Sequence, residues 1–190
     1  MFPSNDRGTQ TSTLGQDIVS AFLLFGMIVS GTGLAIALAG LFCSYFDLYP
    51  FGERVMSVLV PGIFAVWFPT VILGIFISRN GKQRDFWKIA LSGCPQPMRV
   101  GLWALCGFGA ANFIYFVVMN KNAEGTSRAV QTAGGHLLIF YGIAFCVMFS
   151  VYRRPRLLQN VRCPNGHSVS ATDTYCPQCG AAIEGQTTPA

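Results

Sequence analysis

The chain has 190 residues, of which 52% are hydrophobic and only 11% charged, with a net charge of +5 and a mean hydropathy of +0.45. That balance excludes an ordinary soluble cytosolic domain. Four long stretches without Asp, Glu, Lys or Arg, residues 18–42, 55–77, 100–119 and 134–152, are each close to or above the ~20 apolar residues that cross about 30 Å of hydrocarbon. The positive charge therefore reads as membrane topology and attraction to anionic lipid rather than as nucleic-acid binding.

The expected fold is all-α: four transmembrane helices in a bundle, residues 18–156, between a tail (residues 1–17) and a small C-terminal segment (residues 157–190). Residues 1–17 are rich in Ser, Thr, Gln and Gly and lack apolar anchors, which predicts a mobile cytosolic tail. The first stretch reads as a retained span. Ala37-Leu38-Ala39 offers a signal-peptidase-like site, but the apolar core exceeds a typical signal segment and Arg7 is offset by Asp6 and Asp17. Small residues recur there four apart, at Gly26/Ser30, Gly33/Ala37 and Ala35/Ala39. Such spacing lets backbones approach closely, either within the bundle, the reading favoured here, or across a dimer face.

The second stretch carries Pro61 and Pro69, each removing a backbone donor that a bundle can compensate. In the following loop, Asp85-Phe86-Trp87-Lys88-Ile89-Ala90-Leu91 mixes aromatic and basic residues and is expected to lie in the headgroup plane. Gly93-Cys94-Pro95-Gln96-Pro97 breaks that segment, and Cys94 reads as an isolated cytosolic thiol. The third stretch contains Gly107, Gly109, Ala110 and Ala111, then Asn112. The fourth opens Gly134-Gly135-His136 and ends at Tyr152-Arg153-Arg154-Pro155-Arg156. Aromatic pairs in the even spans, Trp67-Phe68 and Phe140-Tyr141, hint at a repeat too thin to argue from.

The absence of charged residues inside the four stretches weighs against ion-coupled transport and against a carboxylate hydrolase in the membrane. A candidate polar cluster remains toward the outer side, Asn112, Tyr115 and His136; the plainer reading places His136 at the water interface. Ten of the thirteen Lys and Arg residues fall in the first tail, the second loop and the C-terminal tail. The other three are Arg54 in the first loop and Lys121 and Arg128 in the third. Both termini are therefore expected in the cytoplasm, with the protein in the plasma or inner membrane.

The last segment holds Cys163-Pro164-Asn165-Gly166-His167 and Cys176-Pro177-Gln178-Cys179-Gly180. Two close pairs, Cys163/His167 and Cys176/Cys179, are separated by eight residues. Zn²⁺ takes four tetrahedral thiolate and imidazole ligands, and two tight turns deliver such a set. A dithiol at Cys176/Cys179 alone would leave redox chemistry open, but the Cys-X3-His partner favours metal. The segment resembles the short zinc-ribbon modules at the ends of many bacterial proteins, with His167 replacing a cysteine one residue late. The resemblance covers about residues 160–183 and implies a small ribbon of a short β-hairpin and knuckles around one structural zinc ion. Val169, Tyr175 and Ile183 are its expected core. Reduced thiols suit the cytosol, in agreement with the orientation.

The expected function is that of a multi-pass membrane protein whose cytosolic ribbon is a structural module for protein interaction or assembly. Its partners would be the bilayer and a protein partner or further copies of itself. Neither nucleic acid nor an identifiable small-molecule substrate is expected, and an enzymatic role is disfavoured. The alternatives are a small channel or uncoupled transporter with the ribbon as regulatory cap, and a membrane enzyme using the His136 region.

Overall fold

A computed structural model of the chain describes residues 7–46, 52–78, 85–119, 126–158, 161–169 and 173–183. Arg79, Lys82, Arg84 and Lys121, which enter the orientation argument, lie outside the described residues. The described chain is mostly helical: α1 (Arg7–Ser44), α2 (Gly52–Ser78), the short α3 (Phe86–Ala90), α4 (Gln96–Met119) and α5 (Thr126–Arg153), then a 3₁₀ turn at Pro155–Leu158.

All four apolar stretches lie within long helices. Among the described residues, three segments are long and apolar enough to cross a membrane: Asp17–Ser44, Ser57–Ser78 and Gly134–Arg153. α4, the remaining long helix, has 24 residues, Gln96–Met119. α1 starts at Arg7, well ahead of the span boundary expected at residue 18. Once a helix is nucleated, each further residue adds one backbone hydrogen bond, so the polar lead-in extends the apolar helix at little cost. α2 continues through both Pro61 and Pro69.

α5 is the centre of the bundle. Leu137, Leu138, Ala144, Val147, Met148 and Val151 are all buried, and α1, α2 and α4 pack around them. Two clusters along α5 form the core. At the Ser78/Arg153 end, Leu23, Leu73, Ile77 and Ile89 meet Val147, Met148, Val151 and Leu157. Toward the other end, Ala37, Leu41, Leu59 and Val66 meet Leu137, Leu138 and Tyr141.

The small residues of α1 explain how closely it approaches α5. A Cβ on Gly33 would run into the Tyr141 ring, and one on Gly26 would meet Met148 Sδ at 2.5 Å. Ser30 and Ala37, their partners in the spacing of four, are buried as well. This half of the small-residue pattern serves packing within the chain; Ala35 and Ala39 face outward. The aromatic pairs of the even spans also meet. Trp67 contacts Phe140 edge to face at 4.7 Å, and the Tyr141 hydroxyl donates to the Leu59 carbonyl at 3.0 Å.

Three buried hydroxyls are satisfied inside their own helices: Ser30 donates to the Gly26 carbonyl, Ser44 to Leu41 and Thr70 to Val66, at 2.7, 2.6 and 2.6 Å. In an apolar setting that is the available route to pairing them.

The turn between α3 and α4 is seated on α5. The Gly93 amide donates to Ser150 Oγ at 2.9 Å, and a Cβ on Gly93 would strike the Ser150 backbone. Cys94 is buried, with its thiol 3.2 Å from the Cys146 carbonyl, so it is not the isolated cytosolic thiol that its sequence context suggests. Arg99 donates back to the carbonyls of Cys94 and Ser92 at 2.9 and 3.0 Å, closing the turn.

Candidate metal centre

Each pair of candidate ligands is carried on a tight turn with the same backbone logic. In the first, the Cys163 amide donates to the His167 carbonyl at 3.0 Å and Gly166 N–H donates to the Cys163 carbonyl at 2.8 Å. In the second, the Cys176 amide donates to the Ala181 carbonyl at 2.9 Å and Gly180 N–H to the Cys176 carbonyl at 2.8 Å. Gly166 and Gly180 have φ of 83° and 70°, the left-handed region in which a Cβ is penalised. The turns differ in length and in order. The first closes on Gly166 and His167, three and four residues after Cys163, and the second on Gly180 and Ala181, four and five after Cys176. Cys179 stands just before its left-handed glycine, whereas His167 stands just after. The longer imidazole compensates for that offset and directs Nδ1 toward the thiols.

The four donor atoms, three Sγ and His167 Nδ1 among them, lie within 4.8 Å of one another and could hold a single metal ion. Cys163 Sγ is 3.5 Å from His167 Nδ1 and 3.7 Å from Cys179 Sγ, and Cys176 Sγ is 3.8 Å from the same Nδ1. Cys163 and Cys176 are buried, His167 is half-buried and Cys179 is exposed.

Around this cluster the described residues contain no β-strand; each turn is closed by a single antiparallel bridge, Arg162 with Ser168 and Tyr175 with Ala182. The expected hairpin is thus reduced to two one-rung knuckles, because each ligand loop leaves room for little pairing beyond the turn. The small core consists of Cys163, Val169, Cys176 and Ile183, with Val161 against them. Tyr175 does not join it and is 64% exposed. Side chains alternate along extended chain, so with Cys176 pointing inward its neighbour points out.

The two thiols of the second turn are held differently. The Ala181 backbone N–H, then the Asn165 side chain and His167, stabilise the Cys179 thiolate and bring its pKa down to about 6. Burial pushes the Cys176 thiol up. Asn165 lies between Cys163 and His167, and nothing in the sequence marks it as a neighbour of Cys179.

The candidate polar cluster is arranged as follows. Asn112 is buried and its Oδ1 accepts a hydrogen bond from the Tyr45 hydroxyl at 2.7 Å, a partner the sequence reading missed. Asn112 also sits beside Gly135, where a Cβ would lie 3.3 Å from Nδ2. His136 packs edge-on against Phe113 at 4.4 Å, and Tyr115 is 57% exposed.

Comparison with protein-family models, with curated proteins and with solved structures gives no match.

Proposed function

We propose that this is a membrane protein of four crossings, with both termini in the cytosol, whose C-terminal module holds one structural Zn²⁺ and serves protein interaction or assembly. The observation that carries the metal assignment is the set of donor separations. A tetrahedron with Zn–S of about 2.3 Å and Zn–N of about 2.0–2.1 Å has S···S edges of about 3.8 Å and S···N edges of about 3.6 Å. Three of the six separations are 3.7 Å, between the Cys163 and Cys179 thiols, and 3.5 and 3.8 Å, from Cys163 and Cys176 to the imidazole; all six are within 4.8 Å. Three thiols and one imidazole fill a four-coordinate sphere, leaving no position for a reacting water, which favours a structural ion.

A module with so small a core depends on its metal for folding, and what it then presents is surface. Tyr175, exposed beside the ligand Cys176, supplies the kind of aromatic contact enriched at interfaces. The uneven distribution of basic residues supports the cytosolic placement of that surface, and an even number of crossings with α4 as the third is what it requires.

The test is purification of the full-length protein from native membranes, with metal analysis and measurement of the assembly's mass. One zinc per chain is expected, with a stoichiometric partner or a discrete oligomer that is lost in Cys176→Ser. Zinc-free protein, or an unchanged assembly in that variant, overturns the reading.

A further inference from the structure

A groove of about 530 Å³ runs along the bundle between α2 and α5 under the cover of α3. Its wall is Thr70, Val71, Gly74 and Ile75 of α2, its floor is Ile143 and Val147 of α5, and Phe86 and Trp87 of α3 line its near end. The deep end is closed by Trp67, held edge-on against Phe140. Val71, Ile75 and Trp87 are between 41% and 54% exposed, so the groove opens outward from the bundle.

Three properties identify its occupant. The first is location: both long walls belong to segments apolar enough to span a membrane, so the opening faces hydrocarbon. The second is length. From Trp67 to Ser78, at a rise of about 1.5 Å per residue, the groove extends about 16 Å along α2. That is close to one leaflet's share of a hydrocarbon layer about 30 Å thick. The third is charge at the mouth. Ser78 ends α2 at the mouth, where α3 carries Lys88, and the 3₁₀ turn that contains Arg156 and comes after Arg153 and Arg154 packs its Leu157 in one cluster with Ile77. The only described carboxylate beside α3 or in that turn is Asp85, which pairs with Lys88 at 3.4 Å. An apolar slot one leaflet deep with a basic, aromatic rim matches one acyl chain topped by an anionic headgroup.

We propose that this groove binds an anionic phospholipid of the adjacent leaflet, one acyl chain lying along α2 as far as Trp67 and the phosphate resting at the basic rim beside Trp87 and Lys88. The inference requires the membrane placement but is independent of the metal.

The test uses the full-length chain in lipid nanodiscs doped with phosphatidylglycerol carrying a photoreactive group near the end of one acyl chain, with crosslinks mapped by mass spectrometry. Labelling is expected to concentrate at Thr70, Val71, Ile143 and Val147, at least five-fold above Phe22, Phe25 and Ile28, which are more exposed, on α1. Gly74→Phe and, separately, Ile143→Trp fill the groove from opposite sides, and each should remove the excess while leaving α1 labelling unchanged. Lys88→Gln should reduce groove labelling relative to α1, and the same probe built on phosphatidylcholine should label the groove several-fold less. Equal labelling of groove and α1, crosslinks there to a second copy of the chain, or indifference to headgroup charge would each overturn the proposal.

Discussion

Cys163 and Cys179 lie sixteen positions apart in the chain, yet their sulfur atoms are 3.7 Å apart. That separation suits two thiolates on one ion as proposed above, and His167 Nδ1 lies 3.5 Å from the first of them. Replacing zinc with Co²⁺ in the purified protein should give the absorption spectrum of three thiolates and one nitrogen. Cys163→Ser or Cys176→Ser should abolish it. The helices should insert in those variants, because their burial in lipid does not involve the ligands, and protease mapping of membranes would show this.

The order of ligand and glycine in the two turns makes a sharper prediction. His167→Cys places a short thiol after the left-handed residue, where the imidazole's length was needed. Its metal affinity should fall more than ten-fold. The paired change Gly166→Cys/His167→Gly copies the order of the second turn and should bind metal more tightly than His167→Cys alone, as measured by chelator competition.

Gly166 and Gly180 are required by φ and not by space, since a Cβ on either would have nothing within 4 Å. Gly180→Ala should destabilise the metal-bound module by about 1–2 kcal/mol, the usual cost of a left-handed non-glycine residue. Gly180→Asn should cost less, because asparagine tolerates that region. The midpoint of chelator-induced unfolding measures both.

The pH dependence of metal binding follows from the two thiols. Cys176, pushed up by burial, is protonated without metal at neutral pH, so binding displaces its proton and affinity falls as pH falls. Cys179, lowered to about 6, remains a thiolate until the pH drops through that value. The number of protons released per ion bound should therefore be larger at pH 5.5 than at pH 7, which calorimetry in buffers of different ionisation enthalpy can count.

In the membrane part, Gly33→Leu should destabilise the bundle, because even a Cβ there meets the Tyr141 ring. Overpacking of this kind costs about 1–3 kcal/mol. Gly107→Ala, at a position with nothing within 4 Å, should leave stability unchanged or raise it slightly. Thermal unfolding in detergent distinguishes the two.

Much of this arrangement was legible in the sequence because its signals are local. Long uncharged stretches give helices, since a chain in hydrocarbon must satisfy its own backbone, and four ligands on two turns give a cluster whose geometry is set within each turn. The contacts that remained hidden cross the fold. Tyr45 bonding to Asn112, Cys94 reaching the Cys146 carbonyl and Asn165 beside Cys179 join distant residues with no periodic signature. Tyr175 misled because its aromatic character suggests a core, whereas strand alternation next to an inward ligand sends it outward. That α5 would be the central helix was equally invisible, since all four stretches are similarly apolar and it is close approaches such as Gly26 to Met148, Gly33 to Tyr141 and Gly109 to Gly135 that gather the other helices around it.

The 3₁₀ turn after α5 buries Leu157 with Leu73, Ile77 and Val151, and only two residues separate Leu158 from Val161 at the base of the metal module. At no more than about 3.5 Å per residue, so short a link can reach only about 10 Å. If the module lies in the cytosol as proposed, it would not roam as a flexibly tethered domain does. A partner that gripped it would be held against the bilayer, its search reduced from three dimensions to two, and any pull on it would be delivered through Leu157 to the helix at the axis of the bundle.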